Sequence, residues 1–149
     1  MKRDFLPGSK EKKADNISYK LKNIPMKILV VDDERDIQVL FEQRFRKEIR
    51  SGEMVFVFAY SGMEALQFLG KHLHEAVLIL SDINMPGMSG LELLKEIKQN
   101  YKKPPPTVMM ITAYGDTDNY NQAMQAGAND FLTKPLDFNL LKEKLKSIQ

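Results

Sequence analysis

The chain predicts an α/β fold: one domain built on a doubly wound parallel sheet with a helix after every strand. Three observations carry this. Short apolar runs recur five times, at Met26–Val31, Met54–Ala59, Val77–Leu80, Thr107–Ile111 and Asp130–Thr133. Each is followed by a segment with apolar positions at helical spacing or a helix-capping signal. The central run, Val77-Leu78-Ile79-Leu80, shows no polar alternation, as expected of a strand covered on both faces. Regular alternation of strand and helix implies parallel strands joined by right-handed crossovers. The pattern leaves the order of the strands open.

Residues 1–25 hold Pro7-Gly8-Ser9, many Lys, Asn and Asp, and no sustained period. They predict irregular structure with at most a short helix near 11–22, and Pro25 marks a boundary. The first strand ends in Asp32-Asp33-Glu34. Ile37, Leu40, Phe41, Arg44, Phe45, Glu48 and Ile49, at helical spacing, then predict one helix, closed by Ser51-Gly52. After the second strand, Ser61-Gly62-Met63-Glu64 spells a capping box and opens a helix to about Leu73. The third strand ends on Asp82. Pro86, Gly87 and Gly90 break regular structure beyond it, and the capping box Ser89–Glu92 starts a helix to about Gln99. A Pro-rich connector, Lys102–Pro106, leads to the fourth strand and Thr112-Ala113. A polar helix runs from Asp116 to Ala126-Gly127, with Gly127 as its C-terminal stop. Lys134-Pro135 follows the fifth strand, and Asp137 caps the last helix, to about Ile148.

Composition narrows the function classes. Apolar residues make up 43% and charged residues 28%, values of a soluble globular chain. No apolar run approaches the roughly 20 residues that cross a bilayer, and charges run through Met1–Lys22, which predicts neither a membrane partner nor a secretion signal. Asn16-Ile17-Ser18 fits a glycosylation sequon and is read as chance without such a signal. There is no cysteine, so thiol catalysis and zinc–thiolate sites are excluded, in keeping with a cytoplasmic protein. The net charge of +2 is uneven: residues 1–25 carry +4 and residues 26–149 carry −2. A basic segment of that kind suits nucleic acid or anionic lipid, but it reads first as a solvated tail or linker. The acidic remainder argues against direct nucleic-acid binding by the folded part.

The chemistry collects at the carboxyl ends of the strands, which lie along one edge of a parallel sheet and form the ligand-binding edge of open α/β folds. Asp32 and Asp33 follow the first strand, Asp82 the third, Thr112 the fourth and Lys134 the fifth. An isolated aspartate there would be no more than a solvated strand end. Three carboxylates together repel one another unless a cation joins them. All-oxygen ligands suit a hard cation, and Mg²⁺ is the natural candidate because it keeps waters and pairs with phosphate. An aspartate can also act as a nucleophile and form an acyl phosphate. A metal ion, an ammonium and a hydroxyl would then neutralise the transferred group.

With these residues assembled, the sequence resembles the receiver domain of two-component response regulators. The resemblance rests on Asp32-Asp33, on Asp82 with Met85-Pro86-Gly87-Met88-Ser89-Gly90, on Thr112-Ala113 and on Lys134-Pro135, in order and at strand ends. It covers about Met26 to Ile148. It implies a flavodoxin-like (βα)5 sheet of order 2-1-3-4-5, with residues 26–149 as the receiver domain and residues 1–25 as a basic tail or linker. It further implies a phosphorylation-controlled switch rather than an enzyme with a foreign substrate. Asp82 would accept a phosphoryl group from a sensor histidine kinase or a histidine phosphotransfer protein. Asp33, Asp82 and the backbone carbonyl of Asn84 would hold Mg²⁺ directly, and Asp32 would do so through water. Thr112 would bond the phosphoryl oxygen, Lys134 would pair with it, and the Lys134–Pro135 bond would be cis. Phe131 falls at the family's switch aromatic, although an apolar strand residue has the same pattern. The face made by the fourth helix, fifth strand and fifth helix would carry output to a partner, a fused effector or a second copy of the chain. Asn84 and Tyr114 occupy positions that tune phosphoryl lifetime in this family, and the bulk of Tyr114 suggests a shield over the acyl phosphate.

Two other readings compete. A phosphatase with an Asp nucleophile wants a second acid two residues on, and that position is Asn84. A receiver-like binding domain that is never phosphorylated would be expected to have lost part of its acidic set, which is intact here. No G-x-G-x-x-G or G-x-x-x-x-G-K follows any strand. His72 and His74 are two apart and read as surface residues. Met85, Met88, Met109 and Met110 read as turn and core filling.

Overall fold

The structure is a computed structural model and describes residues 24–72, 75, 77–101 and 106–148. The expected helix near 11–22, His74 and most of the Pro-rich connector lie outside these residues. Five parallel strands form one sheet: β1 (Met26–Val31), β2 (Met54–Ala59), β3 (Val77–Asp82), β4 (Thr107–Ala113) and β5 (Asp130–Lys134). Their order is β2-β1-β3-β4-β5, the flavodoxin-like order expected. Among the described residues the helices are α1 (Asp36–Arg44), α2 (Arg46–Arg50), α3 (Gly62–Lys71), α4 (Gly90–Asn100), α5 (Thr117–Gln125) and α6 (Phe138–Ile148). None is long and apolar enough to cross a membrane.

The sheet is covered on both faces because alternate side chains of each strand point opposite ways. Leu29, Val31 and Ile79 face one layer with Leu69 of α3, Leu94 and Ile97 of α4 and Ala123 of α5. Ile28, Val30 and Leu80 face the other, with Phe41 of α1 and Leu141 and Leu145 of α6. Each buried Val, Leu, Ile or Phe among them contributes roughly 1.5–3 kcal/mol, before the entropy of ordering is subtracted. The second layer is aromatic: the Phe41 ring centroid lies 5.7 Å from that of Phe45, 5.6 Å from Phe56 and 5.2 Å from Phe138.

Two local expectations need correction. The helix expected over Ile37–Ile49 is two helices, because Phe45 leaves helical dihedrals at φ −110°, ψ 22°. The departure keeps Phe45 fully buried in the aromatic layer, and the hydrogen bonds Phe45 N–H to Phe41 O and Ile49 N–H to Phe45 O carry the chain across the break. The Ser61–Glu64 box is half formed: Ser61 Oγ accepts from Glu64 N–H at 3.1 Å, while the Glu64 carboxylate accepts from Tyr60 N–H. At Ser89–Glu92 both reciprocal bonds are present. Asp116 and Asp137 cap α5 and α6 as expected, through Asn119, Asn139 and Leu140.

Candidate phosphoryl-transfer site

Parallel register brings the predicted residues to one edge. β1 and β3 are neighbours, with Val31 opposite Ser81, so Asp32 and Asp82 each sit one residue beyond a paired position. Asp82 pairs with Ile111, which places Thr112 one residue further along β4, and Ala113 pairs with Lys134. The carboxylates of Asp32, Asp33 and Asp82 offer oxygens that all lie within 4.8 Å of one another. Asp32 and Asp82 are buried, each 3% exposed, and Asp33 is exposed. Lys134 Nζ donates to Asp82 Oδ2 at 2.9 Å, with only 4% of the Asp82 side chain accessible. The other Asp82 oxygen accepts from the Asn84 N–H at 3.3 Å, and Asp32 accepts from the Glu34 N–H at 2.9 Å.

The electrostatics are those of a pocket with too much negative charge. Burial pushes the Asp32 carboxyl above its ordinary value, and the nearby charges of Asp82 and Glu34 push the same way. The Glu34 N–H and Lys134 only partly offset this. Burial lowers Lys134, but the Asp82 hydrogen bond and the charges of Asp82, Asp32 and Glu34 outweigh it and hold the ammonium above its ordinary value. Three converging carboxylates fit a divalent oxygen-seeking cation, which would offset the part of the Asp32 shift that comes from its acidic neighbours.

Local packing fixes the loop after Asp82. Gly87 takes φ +73°, and the Gly90 N–H donates to Ile83 O at 2.7 Å. A Cβ on Gly90 would stand 2.1 Å from the Asp82 carbonyl oxygen, so only glycine lets α4 begin this close to the strand end. Composition marked Gly90 as a breaker; the close approach is a tertiary fact. Met85 is buried and Met88 packs against the same layer, as expected of filling residues.

The remaining predicted residues divide. Thr112 is buried, 3% exposed, at the edge beside Asp82, and no hydrogen bond joins the two. The Lys134–Pro135 bond is cis. Phe131 is half-buried, and its ring lies 4.5 Å from that of Tyr120 on α5, a contact the sequence did not suggest. Tyr114 is 87% exposed, so it does not cover Asp82 as its bulk suggested. His72 stacks on Phe68 and contacts Glu75, away from the carboxylates. Asn129, unremarked in the sequence, accepts from Val108 N–H and Lys98 Nζ and ties the amino end of β4 to α4.

Comparison with known proteins agrees with this geometry. The family model described as the response regulator receiver domain matches residues 28–146. The response regulator protein PilR of Pseudomonas aeruginosa is 42% identical over 120 residues, covering 78% of this chain and 24% of its own length. The chain therefore spans about a quarter of that relative. Sporulation initiation phosphotransferase F of Bacillus subtilis is 34% identical over 123 residues, covering 80% of this chain and 90% of its own. The solved structure of the Vibrio cholerae chemotaxis protein CheY4 superposes with a TM-score of 0.71 at 25% identity, over 84% of this chain and 99% of that one.

Proposed function

Because this chain belongs to the response regulator receiver domain family, a class of phosphorylation-controlled switches in two-component signalling, we propose that Asp82 is its phosphoacceptor. The observation that carries the reading is the Lys134–Asp82 contact at 2.9 Å inside a pocket where Asp32 and Asp33 converge on the same carboxylate. An Asp82 oxygen attacks the phosphorus of a phosphohistidine on a kinase or phosphotransfer protein. The P–N bond breaks, its electron pair returns to the imidazole, and an acyl phosphate forms. Lys134 pairs with charge on the transferred group, and the Thr112 hydroxyl, one strand away, donates to it. Asp33, Asp82 and the Asn84 carbonyl, with Asp32 through water, would hold Mg²⁺, whose charge offsets that of the phosphoryl oxygens. Asn84 cannot serve as the second acid of a phosphatase, which favours self-directed transfer and self-dephosphorylation over hydrolysis of foreign substrates. The receiver unit is assigned to residues 26–149 and the basic segment 1–25 to a tail or linker. A cytoplasmic site of action goes with these partners.

Acetyl phosphate with Mg²⁺ should place one hydroxylamine-labile phosphoryl group on the chain, and Asp82→Asn should abolish it, because an amide is no nucleophile toward phosphorus. Undiminished labelling of Asp82→Asn would move the acceptor elsewhere. Mg²⁺ alone should perturb the amide NMR signals of Asp32–Glu34, Asp82–Asn84 and Thr112. No change up to roughly tens of millimolar, the weak end for a hydrated carboxylate site, would remove the metal from the proposal.

The output follows from the same site. The phosphoryl group adds about two negative charges and strong acceptor oxygens. Movement of Thr112 toward it opens space beside β4 for Phe131, and the α5–β5–α6 face changes for a partner, a fused effector or a second copy. Beryllofluoride, a phosphoryl mimic, should then alter hydrogen exchange across residues 116–148. Changes confined to the loops after Asp82 and Thr112 would rule out this relay.

A further inference from the structure

The edge strand β2 contributes no acid to the phosphoryl-transfer site, yet the turn after it touches both loops that do. Residues 32–35, between β1 and α1, are gripped at their two ends. The Asp32 N–H donates to Ala59 O at 3.1 Å. Three residues on, the Arg35 guanidinium lies over the Tyr60 ring, 4.4 Å from its centroid. The Tyr60 hydroxyl donates to Gln38 Oε1 at 2.5 Å, which ties the same ring to the first turn of α1. Asp33 and Glu34 lie between the two grips. On the other side, α3 begins against the loop after Asp82: a Cβ on Gly62 would stand 2.7 Å from Met88 Sδ. The turn Ala59–Gly62 is thus a brace between the strand ends that carry Asp33 and Asp82.

Tyr60 is itself held. The Glu64 carboxylate accepts from the Tyr60 N–H at 3.0 Å, one residue before the Ser61 N–H that a complete capping box would engage. The half-formed box at α3 therefore fixes the backbone from which the Tyr60 ring extends. Asp33 is the acid that depends on such support. Asp32 is fixed by the Glu34 N–H, and Asp82 by the Asn84 N–H and Lys134. The Asp33 side chain is exposed and has no such bond among the described residues. Its place rests on the backbone of residues 32–35. A loop that must be ordered when a cation arrives weakens binding by the freedom it loses, and a loop already held does not.

We propose that Tyr60, acting through Arg35, is a positioning residue for the metal site: the stacked pair holds residues 32–35 so that Asp33 faces Asp82 before a divalent cation arrives. The proposal rests on the reading of Asp32, Asp33 and Asp82 as a Mg²⁺ site. Positioning and charge have opposite signs here. Arg35 is a cation beside an acidic pocket, so by charge alone its removal tightens Mg²⁺ binding. As a positioning group, its removal weakens binding.

Mg²⁺ affinity of the full chain is read by amide NMR without any phosphodonor, beside urea unfolding and metal-free hydrogen exchange. Tyr60→Ala and Arg35→Gln should each weaken Mg²⁺ binding on the order of three-fold, the scale of an exposed cation–π contact. Arg35→Lys keeps the charge, loses the flat guanidinium, and should weaken it by less. Tyr60→Phe keeps the ring under Arg35 and should bind within about two-fold of the parent. Without metal, Tyr60→Ala should speed exchange of the Asp32 and Glu34 amides, both hydrogen-bonded in the parent, while β3 stays protected. If Tyr60→Ala does not fold, Arg35→Gln, at an exposed position, decides the matter. The inference is overturned if Arg35→Gln tightens Mg²⁺ binding, if a folded Tyr60→Ala binds as the parent does, or if Tyr60→Phe loses as much as Tyr60→Ala. A parent that binds no Mg²⁺ overturns it together with the metal site, whereas a parent that binds beside unaffected variants overturns the positioning role alone.

Discussion

Glu48 shows how one residue can be held at cost. Its carboxylate is buried, Oε2 lies 3.5 Å from Lys142 Nζ, and Oε1 has no hydrogen-bond partner among the described residues. Such pairs recover little of the desolvation they require, and losing one partner is worse than losing both. Lys142→Met should destabilise the fold by about 1–3 kcal/mol in urea unfolding, since a buried acid is left alone. Glu48→Leu should be neutral or stabilising. The reverse ranking would mean that the pair contributes net attraction. Glycine gives a second single-residue contrast. Gly90→Ala drives a methyl group into the Asp82 carbonyl and should cost about 1–3 kcal/mol while weakening Mg²⁺ binding. Gly70→Ala, late in α3 with nothing within 4 Å of the added carbon, should stabilise by about 0.5–1 kcal/mol. Equal effects at the two sites, read as unfolding midpoints, would contradict the packing at Gly90. The acidic triad and Lys134 were legible in the sequence because each stands at the end of an apolar run. Glu48 stood on the same helical stripe as Phe41 and Phe45, but spacing alone does not say whether a polar residue there is buried or solvated.

Among the elements, α5 is lightly anchored, since its one buried side chain is a small one. Only Ala123 of Thr117–Gln125 is buried, and its other notable hold on the sheet is the Tyr120 ring against Phe131. An aromatic pair of this kind contributes about 0.5–1.5 kcal/mol beyond the area it covers. Tyr120→Ala should therefore lower hydrogen-exchange protection across residues 117–125 while leaving α4, with five buried residues, unchanged. Tyr120→Phe, which keeps the ring, should behave as the parent. If both variants protected α5 equally, the ring contact would not hold the helix. The polar stretch Asp116–Gln125 was readable as a weakly packed helix, but its partner on β5 was not, since many apolar residues could pack there without changing the period. The break at Phe45 was hidden for the same reason: the apolar spacing runs through it unbroken, and only the aromatic layer shows why the backbone turns.

At the scale of the molecule, the sequence-level pattern specified parallel strands and a ligand edge, while strand order came only with the family resemblance. Periodicity records which faces are apolar and says nothing of which strand lies beside which. What the order creates is two cores separated by one sheet: Phe41 belongs to the layer under α1 and α6, and Ile97 to the layer under α3, α4 and α5. The two side chains share no packed neighbour, and the sheet that divides them is hydrogen-bonded throughout, so it transmits cooperativity without transmitting local repacking. Phe41→Leu and Ile97→Val should each cost on the order of 1 kcal/mol. In the double variant the losses should add to within about 0.5 kcal/mol, as expected for distant sites. Unfolding should stay a single transition with an unchanged denaturant slope, because neither layer can persist once β3 and β1 separate. A coupling above about 1 kcal/mol would show that the layers repack together across the sheet. Two transitions would show that one layer survives the loss of the other. In the second case Asp82, carried on the strand both layers clamp, would no longer be held by the fold as a whole.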